Sequence, residues 1–327
     1  MKVKQKILVT GGAGYIGSHV VNLLGKAGAD IVVYDNLSTG RKASILYGKH
    51  VQDNLENLEV LDRVLRDEKI EAVLHFAGSI VVPESVSEPI KYYNNNTVNS
   101  LNLIDLCVKN KVKNFIFSST AAVYGMGDGG KCFEETELNP INPYGRSKLM
   151  TENMLEDVSK ARDFNYVALR YFNVAGANVD GLVGQCTPNA THLIKIASEC
   201  ASGKRNRMSI FGTDYDTSDG TCVRDYIHVD DLAQAHLDAL AYLFKGGKSQ
   251  VLNCGYGHGY TVKEVIAAVK KVSGVDFPVE LAGRRPGDAI NLISVAEKIR
   301  TVLGWKPKHD DLELIVRTAF EWEKKLK

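Results

Sequence analysis

The sequence predicts a doubly wound α/β fold: a parallel sheet buried on both faces, followed by a smaller mixed α/β lobe. Three observations carry this. β-Branched apolar runs of strand length alternate with helix-length segments through the first half. A glycine-rich turn follows the first run directly. After Tyr171 the rhythm breaks into loops rich in glycine and polar residues.

The strands read at 6–10, 31–34, 72–76, 114–119 and 166–171. They are continuous rather than alternating, the signature of strands covered on both sides. Helices read at about 14–27, 55–67, 95–108 and 144–160 between them. Past residue 173 the helical patterns fall near 191–202, 229–244, 261–272, 295–303 and 311–325, separated by loops at 176–185, 212–220, 255–259 and 283–288. No repeat or low-complexity linker divides the chain. The expected organisation is a cofactor-binding domain at 1–173 and a substrate lobe at 174–327, with a cleft between them as the ligand site. The boundary is soft, because a strand at 251–253 is placed to return to the first domain.

Composition removes several classes. The 327 residues are 44% hydrophobic, 24% charged and 8% aromatic, an ordinary globular balance. Forty basic and thirty-nine acidic residues leave a net charge of +1, with no basic stripe for nucleic acid. No apolar run approaches the roughly 18 residues of a membrane helix. Lysines followed by Ile7-Leu8-Val9 imitate a secretory signal, but the glycines from Gly11 onward end the apolar stretch. Six cysteines contain no CxxC pair, so free thiols, no metal site and a cytoplasmic location are expected.

The turn Gly11-Gly-Ala-Gly14-Tyr15-Ile16-Gly17 sits between a strand and a helix. Glycines let backbone approach a pyrophosphate, whose charge then rests on the helix N-terminus. Asp35 ends the next strand, where a carboxylate accepts hydrogen bonds from an adenosine ribose and repels a 2′-phosphate. This Rossmann-like arrangement selects NAD over NADP, with Arg41 read as a solvated loop residue.

Further along, Ser118-Ser119-Thr120 ends a strand, and Tyr144 and Lys148 stand four apart on a helix, one turn from each other on one face. A nearby ammonium and a cationic nicotinamide are expected to lower the phenol pKa, making Tyr144 a base. Thr120 is placed to hydrogen-bond the reacting oxygen.

With these residues assembled, the chain resembles the extended short-chain dehydrogenase/reductase family, and within it the UDP-glucose (UDP-galactose) 4-epimerases. The matching segments are ILVTGGAGYIGSHV (7–20), YDNL (34–37), LHFAG (74–78), PIKYYNNNT (89–97), FSSTAAVYG (117–125), PYGRSKLMTE (143–152), LRYFNVAGA (169–177), IFGTDYDTSDGTCVRDYIHV (210–229) and AGRRPGD (282–288). The resemblance implies reversible C4 epimerisation of UDP-galactose and UDP-glucose on tightly bound NAD, through a 4-keto sugar. It implies a homodimer formed through two helices per subunit. Carried over by position, Thr120, Tyr144 and Lys148 are the catalytic set. Cofactor contacts are Gly11, Gly14, Tyr15, Ile16, Gly17, Asp35, Asn36, Asp53, Asn54, Phe76, Ala77, Gly78, Asn95, Lys148 and Tyr171. Substrate contacts, besides Thr120 and Tyr144, are Asn173, His192, Leu193, Arg224, Tyr226, Arg285 and Asp288. Arginines suit a diphosphate as permanently charged, forked donors, although Arg285 also suits a surface ion pair.

Rival chemistries are disfavoured by particular residues. A 4,6-dehydratase needs an acid and a base directly after the strand-end hydroxyl, where Ala121 and Ala122 stand. A net reductase would want a 2′-phosphate pocket, against Asp35. A non-catalytic NAD-binding regulator predicts loss of the Thr120, Tyr144 and Lys148 set, which is intact. Epimerisation of a related UDP-sugar, an N-acetylhexosamine or a uronate, is the nearest alternative. Three departures from the family pattern stand out: Ile80 in place of a lysine, Ala289-Ile-Asn-Leu292 in place of a proline-containing run, and Lys195 in place of proline. Leu292 falls at the sugar-pocket gate, and its bulk predicts glucose and galactose over N-acetylhexosamines.

Overall fold

The computed structural model describes residues 5–126, 130–188, 190–285 and 288–326. Positions 286–287 of the 283–288 loop and positions 1–4 lie outside the described residues. Seven parallel strands form the main sheet: β1 (Lys6–Thr10), β2 (Asp30–Tyr34), β3 (Lys49–Val51), β4 (Ala72–His75), β5 (Asn114–Ser118), β6 (Asn165–Tyr171) and β7 (Gln250–Cys254). Their spatial order is β3-β2-β1-β4-β5-β6-β7. The chain therefore builds outward one way from β1, then crosses back to build the other way from β4. The crevice between β1 and β4, beyond their carboxyl ends, is the switch point where such sheets hold ligands.

Alternate residues of each strand face opposite sides, and both sides are dry. Ile7, Val9, Val33, Leu74, Ile116 and Leu169 point to one face, where helices Tyr15–Lys26 and Val229–Phe244 pack together. Leu8, Val32, Val73, Phe115, Phe117 and Ala168 point to the other, with Leu61, Leu65, Leu103, Cys107 and Leu155 from helices Leu58–Asp67, Asn99–Lys109 and Pro143–Ala161. Each fully buried Leu, Ile, Val or Phe contributes roughly 1.5–3 kcal/mol. Two-sided burial is why the strands read as continuous apolar runs.

β7 lies beside β6 in parallel register, Val251 opposite Ala168. Beyond the main sheet, Tyr226–His228 pairs with Asn173–Ala175, and Met208–Phe211 with Val279–Ala282. A four-stranded sheet joins Tyr260–Thr261, Val223–Arg224, Asn291–Ser294 and Lys131–Cys132. All six cysteines are free, and all but Cys186 are buried.

Two segments differ from the sequence expectation. β3 carries Lys-His-Val on the sheet edge, too short and polar to register as an apolar run. The helix expected at 95–108 is two pieces, a π-helical stretch at Tyr93–Val98 and then α-helix Asn99–Lys109, with a short α-helix at Pro89–Tyr92 running into them. The asparagines of the stretch bond sideways. Asn95 Nδ2 donates to Ser79 Oγ at 2.9 Å, and Asn96 Nδ2 donates to Ser79 O and Ser147 Oγ, each at 3.0 Å. These sideways bonds accompany a widened turn, a distortion that recurs at functional sites.

Candidate active site

Because every main-sheet strand runs the same way, the carboxyl ends of β1, β2, β4, β5 and β6 converge on one edge. The first loop shows what the glycines are for. Gly11 has φ +70°, and a Cβ there would stand 2.6 Å from the Ala77 amide nitrogen. A Cβ on Gly17 would stand 2.3 Å from the Gly11 carbonyl oxygen. No side chain could occupy either place, so the β1 loop, the β4 loop and the helix start meet backbone to backbone. Helix Tyr15–Lys26 begins at Gly14 with no side-chain cap, leaving its first N–H groups for an incoming anion.

Asp35 is buried, its Oδ2 accepting from Ala13 N at 2.9 Å and Oδ1 from Leu37 N at 2.8 Å. It ties the glycine loop to the end of β2. Beside it Asn36 Nδ2 donates to Asn54 Oδ1 at 2.7 Å, and Asp53 Oδ1 accepts from Asn54 N at 2.7 Å. A diphosphate cradle followed by a fixed carboxylate fits an adenine dinucleotide. Arg41 is exposed, as expected of a loop residue.

The second cluster forms where β5 ends. Thr120, almost buried, caps the 3-10 turn Ala121–Tyr124, its Oγ1 accepting from Ala122 N at 3.1 Å. Tyr144 and Lys148, one turn apart on helix Pro143–Ala161, are both buried against this edge. Lys148 Nζ donates to the Ser118 carbonyl at 3.0 Å and lies 3.7 Å from where a Gly78 Cβ would stand. Tyr171 OH and Ser118 Oγ share a hydrogen bond of 2.8 Å.

The electrostatics depart from expectation. Burial raises the Tyr144 pKa above that of an ordinary phenol; the Thr120 hydroxyl pulls it down, and Lys148 is not among the causes. The ammonium is engaged with Ser118 instead. Burial also lowers the Lys148 pKa to about 8, while Glu152 pushes it up. In the chain alone Tyr144 is a neutral phenol.

The other half supplies a pocket lined by Asn173, Gln185, His192, Leu193, Tyr226 and Trp322, among others. Four residues named from sequence meet there: Asn173, His192, Leu193 and Tyr226. Arg224 and Arg285 are engaged elsewhere. Arg224 Nη1 donates to the Val223 carbonyl at 2.8 Å. Arg285 Nε donates to Asp288 Oδ2 at 3.0 Å, and its guanidinium lies 4.7 Å from the Phe211 ring centre. Leu292 packs against the cluster of Ala121, Val123, Tyr124, Cys132 and Phe172.

Sequence reasoning missed the groups beneath the surface. Asn96 Oδ1 accepts from Ser79 N at 2.7 Å and holds the loop after Gly78. Glu152 forks onto Arg170, with Nη2 to Oε2 at 2.6 Å and Nε at 3.1 Å from both oxygens, and accepts from Ser119 Oγ. A glutamate four residues after Lys148 was the available signal.

This assembly of glycine cradle, strand-end carboxylate and Tyr/Lys helix agrees with comparison to known families. The profile of the NAD dependent epimerase/dehydratase family matches residues 7–255. The chain belongs to this family. Among its relatives, a UDP-glucose 4-epimerase of Azospirillum brasilense is 54% identical over 322 residues, covering 98% of this chain and 92% of that one. The structure of a UDP-Glc/GlcNAc 4-epimerase from Campylobacter jejuni superposes with a TM-score of 0.87 at 55% identity, covering 98% of this chain and 99% of that one. A UDP-glucose 4-epimerase from Brucella ovis in complex with NAD gives a TM-score of 0.95 at 41% identity, covering 98% of both chains.

Proposed function

We propose that this chain is an NAD-dependent enzyme that interconverts UDP-galactose and UDP-glucose by inverting C4 of the hexose. One observation carries the reading: Thr120 hydrogen-bonds Tyr144 at the end of β5, and Lys148, one helical turn from Tyr144, reaches both the Ser118 carbonyl and the Gly78 loop. When bound, NAD supplies the reversible two-electron acceptor that takes C4 to a ketone and back. The chain handles the proton and the pose. Tyr144 removes the proton of the 4-hydroxyl and later returns it, with Thr120 bonded to the same oxygen. The Thr120 hydroxyl pulls the phenol pKa down against burial, and the positive charge of NAD would lower it further, while Lys148, charged at neutral pH, holds the Ser118 carbonyl one helical turn away. Gly11, Gly14, Tyr15, Ile16 and Gly17 would cradle the diphosphate of NAD, Asp35 and Asn36 its ribose, Asp53 and Asn54 its adenosine end. Phe76, Ala77, Gly78, Asn95, Lys148 and Tyr171 would line the nicotinamide end. Asn173, His192, Leu193, Tyr226 and Arg224 would hold the UDP-sugar. Arg285 would exchange Asp288 for phosphate, leaving Asp288 free to accept from a hydroxyl.

The division into an NAD-binding domain at 1–173 and a UDP-sugar lobe at 174–327 belongs to the same proposal. So does a cytoplasmic homodimer serving galactose metabolism. Ile90 (75% exposed), Val98, Leu101 and Met150 leave apolar surface on the two helical regions expected to pair, which supports the dimer.

The test is a UDP-galactose interconversion assay on purified protein without added NAD, alongside its absorbance spectrum. Turnover with NAD retained is expected; a protein that releases NAD and converts nothing overturns the reading. A second substrate class has one observation in its favour, the 55% identity to the UDP-Glc/GlcNAc 4-epimerase from Campylobacter jejuni.

A further inference from the structure

His192 opens helix Leu193–Ala201 and lines the pocket shared by Asn173 and Tyr226. Its Nδ1 lies 3.0 Å from the side-chain amide nitrogen of Gln185. In this orientation the amide N–H donates, which asks Nδ1 for a lone pair and places the ring proton on Nε2. Among the described residues the hydrogen bond the ring makes is this one at Nδ1.

Gln185 is itself held from behind. It is buried, and Trp322 Nε1 donates to its carbonyl at 3.2 Å. The preceding Gly184 pairs with Ala177 in an isolated bridge and lies under the Trp322 indole, where a Cβ would stand 2.5 Å from the ring. The C-terminal helix Leu312–Lys325 thus holds the Gln185 backbone from behind. On the other side, Glu323 of that helix pairs with buried Lys195, two residues beyond Leu193. The amide therefore meets His192 at a fixed height. Burial keeps the imidazole below its ordinary pKa, so it is neutral and the tautomer matters.

We infer that Gln185 is a positioning residue that fixes His192 as an Nε2–H donor to a phosphate oxygen of the UDP-sugar. This rests on the UDP-sugar reading of the pocket. An anionic oxygen fits this place, because helix Leu193–Ala201 starts without a side-chain cap and its free N–H groups and positive dipole end favour negative charge there.

Nitrogen-15 spectra of histidine-labelled free protein test the tautomer, the His192 signals being assigned by their loss in His192→Asn. The proton is expected on Nε2 in the wild type. Gln185→Leu should lose that preference and raise the KM for UDP-galactose about tenfold, with kcat within about twofold. Gln185→Glu keeps the shape but reverses the polarity; it should move the proton to Nδ1 and leave KM high. A wild-type ring protonated at Nδ1, or a Gln185→Glu enzyme with unchanged tautomer and KM, overturns the role of Gln185. Calorimetry with UDP separates the two readings: a wild type that does not bind UDP defeats the UDP-sugar reading, whereas UDP binding to an Nδ1-protonated ring defeats the positioning role alone.

Discussion

Lys148 donates its ammonium to the Ser118 carbonyl at 3.0 Å, from a site only 3% exposed. Burial brings its pKa down to about 8 from 10.5, so it is charged at neutral pH and loses its proton as pH rises through about 8. If the ammonium takes part in turnover, kcat/KM should fall on the alkaline side with an apparent pKa of about 8. A profile flat to about pH 10 would remove Lys148 from the reaction. Stability runs the other way. Between about 8 and 10.5 the unfolded chain holds the extra proton, so this group's contribution to folding improves as pH rises across that window.

Glu152 links that limb to the scaffold. Its carboxylate raises the Lys148 pKa, and it is bidentate to Arg170, both partners being buried. Glu152→Gln is expected to shift the alkaline limb to lower pH. It should also cost about 3–5 kcal/mol of stability, because the Arg170 guanidinium is left buried without its counter-charge. Thermal melts and the pH profile of the same variant read both effects.

Tyr144→Phe removes the only phenol beside Thr120 in the proposed catalytic set and leaves its ring packed near Tyr92, with ring centres 6.5 Å apart. Turnover should fall by about two to four orders of magnitude, the range for losing a general base. NAD content, read by absorbance after gel filtration, should stay near wild type. Near-normal turnover would refute the base assignment.

Asp35 serves two main-chain donors, Ala13 N and Leu37 N. Asp35→Ala should weaken NAD retention about tenfold to a hundredfold, through the lost ribose contact and a loosened glycine loop. Fluorescence titration with NAD measures it; affinity equal to wild type would detach Asp35 from the cofactor.

Leu292 packs against the cluster that includes Ala121, the residue after Thr120. UDP-galactose should be converted more efficiently than UDP-N-acetylgalactosamine, and Leu292→Gly should reduce the difference. Equal efficiencies in the wild type would remove Leu292 as a gate.

The sequence made the sheet legible because two-sided burial writes continuous apolar runs: β1 is the run Ile7-Leu8-Val9 with one residue added at each end. The glycine loop was legible for the same kind of reason, since backbone contact at Gly11 and Gly17 tolerates no other residue. What escaped was encoded in single polar side chains acting across the chain. Asn96 reaches Ser147, fifty-one residues on, and Glu152 reaches Arg170; neither leaves a periodic trace. The π-helical turn at Tyr93–Val98 and the height of the Tyr144 pKa follow from such contacts and from burial, which spacing alone does not measure.

Strand β7, drawn from residues 250–254, completes the sheet beside β6, which ended at Tyr171. During synthesis β6 must wait nearly eighty residues for its neighbour, an exposed edge that invites pairing with other chains. Long sequence separation also slows closure of the sheet. A fragment ending near residue 173 would keep that edge and lose helix Val229–Phe244, which covers one face. Such a fragment should aggregate rather than persist as an isolated nucleotide-binding unit.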